Sequence, residues 1–271
     1  MDTIQAILLG LIQGLTEFLP VSSSGHLTIG KALFSIESEN LAFEVAVHAA
    51  TVLSTIVAFR KEIFKLLQGL FKFEYNSETR YILAIIVSMI PVMFVGFFCK
   101  DFIEGIFGSG ILTVGCMLLL TSILLLLGER LSSHKGETDA ENVGSYEGIS
   151  YLQALVIGIA QAIAVLPGLS RSGTTIATGL MCGVRKSAVA QFSFLMVLVP
   201  ILGEAFLELI GGEFSAASSG ISATALFCGA AAAFISGYCA CRWMINIVRK
   251  AQLRWFALYC AAVGMTVIIL G

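Results

Sequence analysis

The sequence predicts an all-α integral membrane protein with six transmembrane helices and two re-entrant helix hairpins, arranged as an inverted-topology repeat. Of the 271 residues, 57% are hydrophobic and only 13% are charged, and the mean hydropathy is +0.92. This composition is far too apolar for a soluble domain of similar length. Two further observations support the prediction: long apolar runs recur along the chain, and two other runs are broken by polar turns.

The six predicted transmembrane helices are apolar runs of the length that crosses a bilayer, roughly 17–25 residues. They cover residues 41–59, 81–99, 111–127, 187–210, 221–241 and 255–270. Two other stretches, 1–34 and 150–184, are interrupted by the turns that begin at Pro20 and Pro167. Each broken stretch therefore predicts two half-helices that enter and leave the membrane on one side.

The distribution of positive charge predicts the orientation, because Lys and Arg remain on the cytoplasmic side. Thirteen of the 16 Lys and Arg residues fall in four connecting segments, which are 60–80, 129–149, 185–186 and 242–254. With these segments inside, residues 1–34 dip in from the outer face, residues 150–184 dip in from the cytoplasmic face, and both termini are outside. The net charge of −2 gives no reason to expect nucleic acid as a partner.

An internal repeat divides the chain into two halves. The segment ILLGLIQ, which ends at Gln13, aligns with LVIGIAQ, which ends at Gln161, and LPVSSSG aligns with LPGLSRSG after one insertion. We expect a first repeat at 1–128, a cytoplasmic linker at 129–149 and a second, inverted repeat at 150–271. Paired broken helices in inverted halves are typical of a binding site near the membrane midplane.

The turn of the second hairpin has the composition of a phosphate site. A helix that starts near Ser170 offers unpaired backbone N–H groups and the positive end of its dipole to an anion. Arg171 adds a planar guanidinium that suits phosphate oxygens. The hydroxyls that accompany it belong to Ser170, Ser172, Thr174 and Thr175.

The turn of the first hairpin carries the groups of nucleophilic catalysis. Three serines, Ser22, Ser23 and Ser24, are candidate nucleophiles, and His26 follows them closely. Glu17 precedes the turn, four positions after Gln13, so these two side chains share one helix face. An ionisable group at this depth needs a cavity and partners, which indicates a functional site.

Both hairpin motifs resemble the signatures of the undecaprenyl-diphosphatase family, also called bacitracin-resistance proteins. The first motif is QGLTEFLPVSSSGH from Gln13 to His26, and the second is PGLSRSGTT from Pro167 to Thr175. The resemblance implies hydrolysis of undecaprenyl diphosphate to the monophosphate, which recycles the lipid carrier of cell-wall precursors. It also implies a divalent cation, an active site that opens to the outer face of a bacterial plasma membrane, and resistance to bacitracin.

Carried over by position, the resemblance implies a catalytic serine at Ser23, with His26 and Glu17 beside it. Gln13 stands where many relatives have Glu. The phosphate-binding residues implied by the second motif are Ser170, Arg171, Ser172 and Thr175. Whether Ser23 or His26 attacks phosphorus stays open at this point.

Our hypothesis places the isoprenoid tail between the spans and the diphosphate where the two turns meet. Ser23 would attack after losing its proton to His26 or Glu17, and Glu17 would alternatively hold Mg²⁺ or Ca²⁺. Gln13, Ser22, Ser24 and Thr174 are further candidates for substrate contact. The alternative is a lipid-phosphate flippase or secondary transporter that uses the same site. Membrane lipid is the expected environment, and a homodimer is one expected assembly.

Overall fold

The computed structural model of the protein describes residues 1–36, 41–99, 110–133, 148–211, 221–249 and 252–270. Within these ranges the chain forms eleven α-helices and no strand. In chain order they are α1 (Thr3–Phe18), α2 (Ser23–Leu33), α3 (Leu41–Ala58), α4 (Arg60–Leu70), α5 (Ser77–Phe98), α6 (Ile111–Ser133), α7 (Tyr151–Ile163), α8 (Arg171–Met181), α9 (Lys186–Gly211), α10 (Ala223–Arg249) and α11 (Leu253–Leu270).

Five of these helices, α5, α6, α9, α10 and α11, are long and apolar enough to cross a membrane. The predicted span 41–59 corresponds to α3, which meets α4 at a bend of 72°. Counting this bent pair as one span gives a sixth crossing, so the described chain has five to six. This number and the absence of strands in the described ranges agree with a multi-pass α-helical membrane protein.

Two helices extend beyond their predicted apolar cores. Helix α6 continues past residue 127 to Ser133, and α10 continues past 241 to Arg249. Both extensions carry charged residues. This is compatible with a membrane helix, since its end can continue into the polar interface once the apolar segment has crossed the hydrocarbon. The first residues of the predicted linker, up to Ser133, are therefore helical, and residues 134–147 lie outside the described residues.

The two broken stretches form the predicted pairs of short helices, α1 with α2 and α7 with α8. Both pairs begin with a capping box, formed by Asp2 with Gln5 and by Ser150 with Gln153. In each box the cap side chain accepts the third backbone N–H, while the glutamine side chain accepts the N–H of the cap residue. Local sequence thus fixes both helix starts in the same way.

Close glycine contacts hold the first helix of each hairpin against a long helix from the other half of the chain. Helix α1 packs on α10, where a Cβ on Gly10 would lie 2.1 Å from the carbonyl oxygen of Gly229. Helix α7 packs on α5, where a Cβ on Gly158 would lie 2.2 Å from the carbonyl oxygen of Ser88. Small residues allow such backbone approach, which is a principal source of helix association in membranes.

We predict that Gly10→Ala destabilises the protein by about 1–3 kcal/mol or more, because the added methyl group meets backbone that cannot rotate away. The matched control is Gly96→Ala, since a Cβ on Gly96 meets nothing within 4 Å. Thermal unfolding of the purified proteins in detergent measures the difference. Equal melting temperatures for the two variants would contradict the proposed α1–α10 packing.

Candidate active site at the meeting of two broken helices

The structure brings the turns of the two hairpins into direct contact. The Ser172 hydroxyl donates a hydrogen bond of 3.2 Å to the backbone carbonyl oxygen of Leu19. A Cβ on Gly25 would lie 3.2 Å from the Cα of Gly168, and a Cβ on Gly173 would lie 3.2 Å from the Cβ of Pro20. The groups that begin α2 and α8 are therefore neighbours, although nearly 150 residues separate them along the chain.

A serine caps each of the two helices that begin at this meeting point. The Ser22 hydroxyl accepts the N–H of Gly25 at 3.3 Å, and the Ser170 hydroxyl accepts the N–H of Gly173 at 3.1 Å. The backbone of Ser22 has a φ angle of 70°, a conformation that residues other than glycine rarely adopt. Strained backbone of this kind is concentrated at functional sites.

Glu17 and Ser23 form the centre of the first hairpin's cluster. The Ser23 hydroxyl donates a hydrogen bond of 2.6 Å to Oε2 of Glu17. The same oxygen accepts a bond of 2.8 Å from Nε2 of Gln13, a fully buried side chain. Oε1 of Gln13 has no protein partner among the described residues. The serine that the sequence analysis selected as nucleophile is thus the one that contacts the carboxylate.

His26 faces away from Ser23. Its Nδ1 lies 2.8 Å from the carbonyl oxygen of Ser22, and its Nε2 lies 2.8 Å from the hydroxyl of Tyr259. A carbonyl oxygen can only accept, so Nδ1 carries the proton, and in the neutral ring Nε2 accepts from Tyr259. The geometry therefore leaves Glu17, rather than His26, as the group positioned to take the proton of Ser23.

Sequence reasoning missed Tyr259. It lies 233 positions after His26, in the last apolar run, and its ring also stacks on the imidazole at a centroid distance of 5.5 Å. No local signal distinguishes this tyrosine from the other aromatic residues of a transmembrane helix.

Arg171 lines a narrow cavity of about 20 Å³ together with Glu17 and Ser172, which is little more room than one water molecule requires. Thr51 and Thr55 of α3 complete its polar lining, and the rest of the wall is apolar. The sequence analysis did not select these two threonines, whose only signal is a spacing of four within an apolar run. Within the described part of the chain, no carboxylate oxygen lies within 4 Å of the Arg171 side-chain nitrogens.

The remaining predicted residues lie around this centre and are largely buried. Ser24 lies 3.3 Å from Ser22, oxygen to oxygen, while the Thr175 hydroxyl contacts Ser193 and the carbonyl oxygen of Arg171. The Thr174 hydroxyl is buried and has no protein partner in the described ranges. Direct contact of these hydroxyls with a substrate stays a prediction, because Ser170 and Thr175 already bond within the protein.

The described residues contain no group of three or more His, Cys, Asp or Glu side chains close enough to hold a metal ion by themselves. Glu17 is the carboxylate at the centre, and its hydrogen-bond partners there are the amide nitrogen of Gln13 and the hydroxyl of Ser23. A cation at this point would need further ligands from a substrate or from water.

Fold and site together define a multi-pass α-helical membrane protein with a carboxylate, a guanidinium and several hydroxyls grouped where two broken helices meet. The family described as bacitracin resistance protein BacA matches residues 6–266, and the chain belongs to this family.

Three relatives carry the name undecaprenyl-diphosphatase. A protein of Bacteroides fragilis is 57% identical, with 99% of this chain and 98% of the relative covered. A protein of Bacteroides thetaiotaomicron is 54% identical over 99% of both chains. A protein of Methanobrevibacter smithii is 37% identical, with 98% of this chain and 97% of the relative covered.

We predict that Tyr259→Phe changes the chemical environment of the His26 Nε2 atom and leaves that of Nδ1 nearly unchanged, since the variant keeps the ring and removes only the hydroxyl. Nitrogen NMR of ¹⁵N-histidine-labelled protein measures both atoms, with His26→Gln to assign the signals and His48 as internal reference. Unchanged Nε2 signals in the variant would contradict the hydrogen bond.

Proposed function

We propose that this protein is a membrane phosphatase that hydrolyses undecaprenyl diphosphate to undecaprenyl phosphate and inorganic phosphate. The observation that carries the proposal is the placement of Arg171 in one cavity with Glu17, while Ser23 bonds to that same carboxylate. No described carboxylate oxygen lies within 4 Å of the Arg171 side-chain nitrogens, so this guanidinium at membrane depth is costly unless an anion joins it, and a diphosphate supplies that anion. Membership in the bacitracin-resistance family and the names of the relatives support the same substrate. The flippase alternative gains no separate support from these observations.

Substrate binding in this proposal relies on fixed donors. Arg171 holds phosphate oxygens with its planar guanidinium, and the unpaired N–H groups at the starts of α2 and α8 add further donors. Ser172 and Ser24 lie at the same helix starts and supply hydroxyls, whereas Ser22, Ser170 and Thr175 keep the turns in shape. Gln13 orients Glu17 through its side-chain hydrogen bond. Preorganised donors of this kind are the main source of rate in phosphoryl transfer.

Chemistry begins at the Ser23 hydroxyl. Its proton passes to Glu17 along the 2.6 Å hydrogen bond while Oγ attacks the terminal phosphorus. The bond from that phosphorus to the bridging oxygen breaks, and undecaprenyl phosphate leaves. Glu17 gives this proton to the leaving undecaprenyl phosphate and is a carboxylate again. Water then attacks the phosphoserine and gives a proton to Glu17, which passes it to the Ser23 oxygen as inorganic phosphate leaves. The two ring nitrogens of His26 already have partners, so His26 orients the start of α2, and its part in proton transfer stays a prediction.

The oxygen-rich centre fits the divalent cation that the family resemblance implies. Glu17 would hold Mg²⁺ or Ca²⁺ with help from Oε1 of Gln13, the buried oxygen that has no protein partner in the described chain. Hard cations prefer such oxygen ligands and complete their shell with substrate phosphates and water. When bound, the cation would neutralise charge on the diphosphate.

The membrane arrangement forms part of the proposal. The paired capping boxes, the serine caps of α2 and α8, and the matching glycine contacts support an inverted repeat, with halves at 1–128 and 150–271. Positive charge on the connecting segments supports two re-entrant hairpins, both termini outside, and a site that opens to the outer face. A homodimer stays a prediction of the sequence, and light scattering of the purified protein tests it.

Removal of the central groups should abolish phosphate release from undecaprenyl diphosphate in detergent. We expect Ser23→Ala and Glu17→Gln to lower kcat by about 10²–10⁴, since nucleophile and base are lost. Arg171→Ala should lower kcat by about 10²–10³. Arg171→Lys should lie between Arg171→Ala and the wild type, because only the charge remains.

Glu74→Gln, at an exposed position, is the matched control, and its kcat should stay within about twofold of the wild type. Near-normal turnover in Ser23→Ala and Arg171→Ala would sink the assignment.

A chelator should remove activity, and added Mg²⁺ or Ca²⁺ should restore it. Glu17→Gln should raise the cation concentration for half-maximal residual activity, because a neutral amide binds a hard cation more weakly than a carboxylate. The same titration on Glu74→Gln should match the wild type. Full activity in excess chelator would contradict the proposed requirement for a divalent cation.

Fusions at the C-terminus test the orientation. An alkaline phosphatase domain attached there should be active and a green fluorescent protein dark, because we place this end outside the cytoplasm. An inactive alkaline phosphatase fusion with a fluorescent green fluorescent protein fusion would contradict the proposed orientation.

A further inference from the structure

A second, larger cavity lies beside the first hairpin. It is a groove of about 530 Å³ between the C-terminal end of α1 with its turn, the end of α10 and the first half of α11. From Gln252, which directly precedes α11, the groove extends to Tyr259 within it, a distance of about 10 Å along the helix axis. Its volume is in the usual range of ligand-binding cavities.

The chemistry of this groove differs from that of the Arg171 cavity. Among the described residues no charged side chain lines it, and its walls are mainly apolar and aromatic, with Leu15, Trp243 and Trp255 exposed to it. The Thr16 hydroxyl donates to the carbonyl oxygen of Ile12, so it presents mainly its methyl group. Asn246 and Gln252, the other polar residues, lie towards the connection between α10 and α11. The deep end of the groove therefore suits a hydrocarbon and not a phosphate.

That deep end reaches the candidate active site. Of the α11 residues that line the groove, Tyr259 lies furthest from the α10–α11 connection, and its hydroxyl is 2.8 Å from His26. Leu19 and Val21, on either side of the hairpin's proline, line the same end. Leu19 also accepts the hydrogen bond from Ser172, so its backbone touches the phosphate side while its side chain faces the groove.

We propose that this groove binds the proximal part of the substrate's polyprenyl chain, an inference that rests on the proposed phosphatase function. Diphosphate and chain are covalently joined, so a chain site must begin beside the phosphate site. The groove meets that condition at Leu19, which lines it and whose carbonyl oxygen accepts the hydrogen bond from Ser172 of the Arg171 cavity. The chain then runs from the hairpin turn towards the α10–α11 connection. Chain binding there would select long polyprenyl diphosphates over short ones.

Leu15→Trp tests the proposal by narrowing the groove. We expect kcat/KM for undecaprenyl diphosphate to fall about tenfold, because a few methylene contacts are lost, with KM carrying most of the change. Dimethylallyl diphosphate, whose single isoprene unit is too short to extend along the groove, should lose less than about threefold. Leu11→Trp is the matched control, one turn earlier on the same exposed face of α1 and outside the groove, and should affect neither substrate.

Equal losses for the two substrates, or no loss in Leu15→Trp, would overturn the chain site while leaving the phosphatase assignment intact. A failure of the wild type to hydrolyse either substrate would sink the phosphatase assignment instead.

Binding can be measured without catalysis, because the two tryptophans of the sequence, Trp243 and Trp255, both line the groove. Titration of the Ser23→Ala protein with undecaprenyl phosphate should change tryptophan fluorescence with saturation, and inorganic diphosphate should not. In the Trp255→Phe variant the change should shrink. An equal response to inorganic diphosphate, or no response to undecaprenyl phosphate, would contradict chain binding in this groove.

Discussion

Four helix ends lie in the interior of this membrane protein. The backbone N–H and C=O groups at these ends have no partner within their own helix and must find one away from bulk water. In hydrocarbon, each unsatisfied group costs several kcal/mol, so broken helices persist only where protein surrounds them. Here Ser22 and Ser170 cap the two helix starts, and Ser172 donates across to the carbonyl oxygen of Leu19. The Ser170 N–H donates to Thr121 of α6, which binds the second turn to a long helix. The two turns thus stabilise each other.

The same requirement gives a physical reason for the position of the proposed active site. A helix start retains N–H groups that point outwards, and a hairpin buried in protein can present them to a ligand that the bilayer would exclude. The serine caps complete the turns, and the positions next to them carry Ser23 and Arg171. The packing that supports the turns also leaves little room for water, since Phe18, Phe194 and other apolar side chains line the Arg171 cavity.

Much of this arrangement could be predicted from local sequence. Proline and glycine in polar runs mark both breaks, and the spacing of Gln13 and Glu17 places them on one helix face. The contact of Ser23 with Glu17 follows from their nearness across one turn. The family resemblance added the substrate, because residue chemistry alone indicates an anion site and not which anion.

Other features depend on tertiary packing and had no local signal. The partner of His26 is a tyrosine from the last helix, and Thr51 and Thr55 reach the cavity only because α3 packs on α10, α9 and α1. The bend of 72° between α3 and α4 occurs at Phe59, where no proline or glycine stands. Phe59 is buried against Phe194 there, so packing rather than a helix-breaking residue determines the bend.

The central claim is that Ser23, activated by Glu17, attacks the diphosphate at the meeting of the two turns. Its most direct test is to mix the protein with undecaprenyl diphosphate labelled in the terminal phosphate, quench within a turnover, and locate the label by mass spectrometry under conditions that preserve both phosphoserine and phosphohistidine. The account predicts label on Ser23 and none in Ser23→Ala. Label on His26 in the wild type, persisting in Ser23→Ala, would contradict it.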